Sequence, residues 1–175
     1  EFPLRKRKGG LRKICSPSRP LKDVQLRLYV YLGNIYAGYA PLCVHGFIKN
    51  RVGNNRNILS NASVHLQKPF VLNMDIAGFF PGISTDMVRE ALLTFPGAGF
   101  SLEASSIISL LATYNWTLPA GSPLSPVISN IVFYKADIAL EAYAAANDLT
   151  YTRYADDLSF SGEVPVTETH IQEIS

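Results

Sequence analysis

The spacing of large apolar side chains changes period several times along the chain, and each change predicts an element. Residues 2–7 and 11–15 mix large and charged side chains around Lys8-Gly9-Gly10, which predicts an opening β-hairpin on a glycine turn. Pro17 and Pro20 break that pattern. Leu21, Val24, Leu28, Tyr31, Leu32 and Ile35 then recur at helical spacing, predicting a helix over residues 21–37 with that stripe in the core. A polar, turn-rich stretch follows at residues 51–56, then a short helix near 57–64. Residues 70–76 form a mostly apolar run, as expected of a buried strand ending at Asp75. Ser84 and Ser101 are placed to cap helices reaching about residues 94 and 114, with Ile107, Ile108, Leu110 and Leu111 as core. Ser125 and Pro126 open a long helix to about residue 146, and Asn147-Asp148 turns the chain. Asp156-Asp157 between β-favouring runs then reads as the tip of a second hairpin. Past Gly162 a turn and the start of another helix are expected. Strands separated by helices, with hairpins interposed, indicate an α+β fold.

Composition adds less than charge does. With 175 residues, 47% of them hydrophobic, the chain can build a core for one domain or slightly more. No apolar run approaches the roughly 18 residues of a membrane span, and no secretory signal pattern opens the sequence, so a cytoplasmic setting without membrane contact is expected. Cys15 and Cys43 lack metal-ligand spacing, and His45 and His65 read as loop or packing residues. Residues 1–56 carry 12 Lys/Arg against Glu1 and Asp23, whereas residues 57–175 carry 4 against 12 Asp/Glu. A basic front suits a polyanion, and an acidic back suits metal ions. Arg5, Lys6, Arg7, Lys8, Arg12 and Lys13 crowd the first hairpin, where bound phosphates would relieve their repulsion. The alternative there is a solvated edge guarded against aggregation.

The candidate chemistry lies in three aspartates. A bare Asp-Asp pair is ordinarily a solvated turn, but Asp75 stands at the end of another apolar strand. Hard divalent cations take oxygen ligands, and a carboxylate at a buried strand's end needs a partner or a metal.

Five stretches together resemble the reverse transcriptases of bacterial retrons, with group II intron and abortive-infection relatives close behind. They are Arg12-Lys13-Ile14 with Pro17; His45-Gly46-Phe47 with Arg56-Asn57-Ile58 and Asn61-Ala62; Asp75-Ile76-Ala77-Gly78-Phe79-Phe80; the run from Gly121 to Asn130; and Tyr154-Ala155-Asp156-Asp157 with the residues through Gly162. They occur in the family's order and cover almost the whole chain. The resemblance implies a right-hand polymerase: fingers at residues 1–69, and a palm with an antiparallel sheet on helices at 70–175, incomplete at its end and without a thumb. It also implies RNA-directed DNA synthesis, adding deoxynucleotides to a primer 3′-hydroxyl by two-metal phosphoryl transfer.

In that reading Asp75, Asp156 and Asp157 are catalytic and hold two Mg²⁺ ions, with Mn²⁺ as a substitute and the Ile76 backbone carbonyl as a further ligand. Arg12, Lys13, Arg56, Phe79, Phe80, Ala120 and Gly121 would contact the nucleotide, Phe80 by excluding a 2′-hydroxyl. Arg51 competes with Arg56 for its role. Arg5, Lys6, Arg7, Lys8 and Tyr154 would contact nucleic acid. The implied partners are an RNA template, a DNA or RNA primer and deoxynucleoside triphosphates, with a cognate structured RNA or partner protein beside them. Two departures matter: Ala120 stands where the family usually has glutamine, a loss expected to weaken nucleotide positioning or alter templating, and the chain stops before the later palm motifs. The rival readings are a non-catalytic nucleic-acid-binding piece, an abortive-infection-type untemplated polymerase and a metal-dependent phosphohydrolase.

Overall fold

The computed structural model describes residues 1–5, 9–49 and 55–174. Lys6, Arg7, Lys8 and Arg51 lie outside these residues, as does the side chain of Arg12. The elements are β1 (Phe2–Arg5), β2 (Leu11–Ile14), α1 (Arg19–Tyr39), α2 (Ile58–Val64), β3 (Phe70–Asp75), α3 (Phe79–Gly82), α4 (Thr85–Thr94), α5 (Leu102–Ala112), α6 (Ser125–Ala146), β4 (Leu149–Tyr154), β5 (Asp157–Gly162) and α7 (Glu168–Ile174). The fold is α+β, with one sheet of β1-β2 and a second in the order β3-β5-β4, both antiparallel. No helix among the described residues is long and apolar enough to cross a membrane. The chain forms two compact units, residues 1–39 with 78–132, and residues 40–77 with 133 onward.

In the first unit, β1 and β2 pair from Phe2↔Ile14 to Arg5↔Leu11, and Gly9 and Gly10 take φ of 89° and 84°, a conformation open to glycine. Helix α1 buries Gln25, Leu32 and Tyr36, while Val24 and Tyr31 of the expected core stripe are exposed. The buried face is rotated because Tyr36 stacks on Phe95 at 5.8 Å, and because a polar residue, Gln25, is drawn inward. Gln25 Nε2 donates to the Leu111 carbonyl (2.8 Å), and its Oε1 accepts from Ser122 Oγ (2.9 Å). Ser122 Oγ in turn accepts from Leu124 N, so this buried amide fixes the loop leading into α6. Ser84 and Ser101 cap α4 and α5 as expected, accepting from Met87 N and Ala104 N. Helix α5 buries Ser105, Ile108, Ser109 and Ala112, whereas Ile107 and Leu110 are exposed. Sequence expects the isoleucine-leucine cluster to be core, but α5 presents only one stripe, and two of its serines lie in it.

In the second unit the core gathers Val44, Ala144, Leu149, Tyr151, Leu158 and Phe160, with Leu72, Met74 and Ile76 packed against it. Strand β3 is an edge strand, and Phe70, Val71, Asn73 and Asp75 are exposed on it, whereas Thr152, Ser159 and Ser161 of the neighbouring strands are buried. The expected fully buried strand is therefore half-buried, and burial is not what constrains Asp75. The free edge of β4 is covered by residues 43–45: Arg153 N donates to the Cys43 carbonyl and His45 N to the Arg153 carbonyl, both 2.8 Å.

Replacing Gln25 with leucine would leave the Leu111 carbonyl without its side-chain donor and the Ser122 hydroxyl without its acceptor. A loss of about 1–3 kcal/mol in urea denaturation is expected, and an unchanged midpoint would show that this buried amide does not hold the loop.

Candidate active site

The second hairpin is tighter than an Asp-Asp turn. Tyr154 pairs with Asp157, so the loop is Ala155-Asp156 and Asp157 already belongs to β5. Ala155 has φ of 59°, and Asp156 is not among the residues with positive φ, the pattern of a type II′ turn whose first position favours glycine. Three contacts hold this alanine turn. Arg153 Nη1 donates to the Ala155 carbonyl (2.8 Å), and Ile76 N donates to the Asp156 carbonyl (3.0 Å). On the third side Gly46 passes so close that a Cβ there would overlap the backbone of Ala155 and Tyr154.

The Ile76–Asp156 bond sets the geometry of the next pair. Asp75 and Asp157 are directly opposite in the register, and the adjacent pair carries the hydrogen bond. Asp75 and Asp157 therefore form a non-hydrogen-bonded pair, the kind in which facing Cβ atoms approach to about 4.5–5.5 Å. Like charges placed so are destabilising unless positive charge or donors lie between them. Both side chains are exposed and Asp156 is half-buried. Their sheet face stays polar further along: Asn73 faces Ser159, whose Oγ donates to Asn73 Oδ1 (2.8 Å). His65 closes the face, its Nδ1 2.6 Å from Ser161 Oγ and its Nε2 2.6 Å from Thr152 Oγ1. His45 Nδ1 is likewise 2.8 Å from Ser60 Oγ. Both histidines are thus packing residues.

The opposite face of β4 carries a charge that sequence reasoning missed. Arg153 and Asp137 are both 0% exposed, and Arg153 heads the fully buried side chains of the described residues. Its Nε and Nη2 meet Asp137 Oδ1 and Oδ2 at 2.8 and 2.7 Å, a two-point contact, and the guanidinium lies 5.0 Å over the Phe133 ring. Tyr151 donates its hydroxyl to Asp137 Oδ1 (2.9 Å), and burial beside that carboxylate pushes the phenol far up, so it remains a donor. Asp137 lies mid-helix in α6, sixteen residues from Arg153, and reads in sequence as one more acidic surface position. Only the alternation that turns Arg153 toward the Tyr151 face of β4 hints that its charge needs a buried partner.

The residues expected to meet a nucleotide fall mostly in the first unit. Gly121, at φ 108°, lies against β2: a Cβ there would meet Ile14 Cγ2 at 2.7 Å and the Cys15 carbonyl oxygen at 3.1 Å. Cys15 N donates to the Ala120 carbonyl (2.8 Å), so Ala120 and Gly121 are tied to the strand end just past Lys13. Lys13 is exposed and paired with Glu1 (2.8 Å), a surface contact of the kind that is easily exchanged. Arg5 is exposed on β1. Phe79 is buried and Phe80 half-buried, their rings 5.6 Å apart, in the single-turn helix after Gly78. Arg56 belongs to the second unit and is 8% exposed, its Nη1 donating to the Pro41 and Val44 carbonyls. Those bonds give it the task of tying down residues 41–44. Tyr154 is half-buried opposite Asp157.

Asp75, Asp156 and Asp157 thus meet at one end of one sheet. Among the described residues, no three His, Cys, Asp or Glu side chains are arranged to hold a metal ion by themselves. Carboxylate oxygen is nevertheless the donor type that suits Mg²⁺, which is commonly held by one or two carboxylates with substrate phosphates and water completing its shell.

No protein-family model matches the chain. Curated relatives do. The retron Ec86 reverse transcriptase of Escherichia coli is 35% identical over 155 residues, covering 87% of this chain and 45% of that protein. The retron Mx162 reverse transcriptase of Myxococcus xanthus is 34% identical over 178 residues, covering 91% and 35%. The retron Ec73 reverse transcriptase of Escherichia coli is 32% identical, covering 92% and 52%. The chain belongs to the retron-type reverse transcriptases, and it spans about half or less of the length of these relatives.

The histidines give a pH prediction. Burial holds His45 and His65 below the usual imidazole value of 6.5, with Arg56 adding to the effect at His45. The unfolded chain then binds these protons more readily than the folded one, so stability is complete above 6.5 and falls as pH drops toward the depressed folded values. Urea midpoints measured across that range should fall with acidity, and His65→Gln should flatten the slope. An unchanged slope in the variant would place the pH sensitivity elsewhere.

Proposed function

We propose that this chain forms fingers and palm of an RNA-directed DNA polymerase that extends a primer 3′-hydroxyl with deoxynucleotides, in the bacterial cytoplasm. The observation that carries the reading is the register: Asp75 directly opposite Asp157, with Asp156 in the adjoining turn. A sheet end that places like charges in facing positions makes sense where cations and a triphosphate arrive together. In this reading the sheet β3-β5-β4 belongs to the palm, and the boundary between fingers and palm lies near residues 69 and 70. The names of the relatives support the polymerase class.

When bound, two Mg²⁺ ions, with Mn²⁺ as a substitute, supply a lowered pKa for the primer 3′-hydroxyl and neutralise charge on the triphosphate. The chain's own residues do the rest. Asp75, Asp156 and Asp157 fix negative charge at one sheet end, and the Ile76 backbone follows directly after the first of them. Arg12 and Lys13 draw the triphosphate, Lys13 by giving up its exposed contact with Glu1. Gly121 lets backbone approach closely beside β2, and Ala120, lacking an amide side chain, contributes backbone only. Phe80, backed by the buried Phe79 ring, lies under the sugar and rejects a 2′-hydroxyl. The basic residues from Arg5 to Lys8, with Tyr154, contact template or primer. A structured RNA or a protein partner completes the assembly.

Primer extension by the full-length protein on an RNA template with Mg²⁺ tests the reading. Asp156→Asn should lower incorporation at least on the order of 10²-fold, as expected when charge stabilisation at the reacting centre is lost, while RNA binding is retained. Equal activity would remove the metal-site assignment. Untemplated product would favour an abortive-infection-type polymerase, and RNA binding without any product a non-catalytic module. Phe80→Ala should admit ribonucleotides, and unchanged sugar discrimination would return Phe80 to packing alone.

A further inference from the structure

The buried Arg153 has a bond that its ion pair does not need. Nε and Nη2 satisfy Asp137, while Nη1 reaches along the strand to the Ala155 carbonyl. Ala155 is the residue with φ of 59°, a backbone conformation that persists only where its surroundings over-determine it. A buried ion pair is often replaceable by apolar side chains with no loss of stability, so core packing alone does not account for this one. An arginine fork can hold a carboxylate and still donate elsewhere, which a lysine ammonium cannot reproduce.

We propose that Arg153 is a positioning residue of the carboxylate site: braced by Asp137 from α6, it holds the Ala155 carbonyl and thereby sets where Asp156 leaves the hairpin relative to Asp75 and Asp157. The inference deepens the polymerase reading and rests on it for its catalytic consequence. Its structural content can be read without activity, because the residue after Ala155 accepts from the Ile76 amide through its carbonyl, and that bond reports where the turn is held. Arg153 does not touch substrate in this role. It acts through the turn.

The test compares the full-length protein with Asp137→Leu/Tyr151→Phe/Arg153→Met, which replaces the buried polar group as a whole and leaves no orphaned partner among the three. Hydrogen exchange at the Ile76 amide should accelerate roughly tenfold or more, with the far end of the sheet, at Phe70 and Gly162, unchanged. Primer extension should lose on the order of 10²-fold in kcat, with little change in the KM for deoxynucleotide. Arg153→Lys keeps a charge beside Asp137 but gives up the fork, and is expected to show the same pattern more weakly. It carries the test if the triple variant does not fold. Unchanged Ile76 exchange in a folded variant overturns the proposal, whatever the activity. If the unaltered protein extends no primer, the polymerase reading fails, and the exchange result alone decides the role of Arg153.

Discussion

A guanidinium with no access to water must find its partners within the protein, and the second compact unit is arranged around that requirement. Arg153 and Asp137 meet at two points, Phe133 covers the guanidinium face, and Tyr151 completes the carboxylate. Removing either charge alone would strand the other in the core, typically at a cost of about 3–5 kcal/mol. The pair therefore couples α6 to β4 at one register and no other. Through the backbone of the same arginine, residues 43–45 are bonded along the open edge of β4. One side chain and its own peptide groups thus fix helix, sheet edge and turn together.

What sequence could disclose of this divides by range. Serine caps, glycine turns and the second hairpin are local chemistry, and Ser84, Ser101, Gly9 and Gly10 behave accordingly. The meeting of Asp75 with Asp157 was legible only through a family resemblance, because no local rule pairs strands more than eighty residues apart. Arg153–Asp137 was legible at one end only: strand alternation sets Arg153 on the Tyr151 face, but an aspartate in the middle of a helix carries no mark of burial. Gln25 failed for the same reason, hidden within an apolar stripe that it partly replaces. Ile107 and Leu110 failed in the other direction, since an apolar side chain does not reveal whether its helix has neighbours on one side or two. Arg56 donates to the Pro41 and Val44 carbonyls, partners that no spacing rule could have named.

The two faces of the sheet divide the labour. One carries Leu72, Met74, Leu158 and Phe160 into the core. The other carries Asp75, Asp157, Asn73 and Ser159, with His65 fastening its far end to Thr152 and Ser161. A polar face of this kind gives little hydrophobic stabilisation, so the apolar face and the buried ion pair must hold the strands in register. A slip of one residue would exchange the faces, burying the aspartates and exposing Phe160. Register is thus the common condition of stability and site geometry. The Ile76–Asp156 bond is its last rung before the turn, and Ala155 bears a positive φ so that the rung can form with Asp156 in the loop and Asp157 in the strand. The constraint that makes the hairpin costly is the one that separates two adjacent aspartates into different roles.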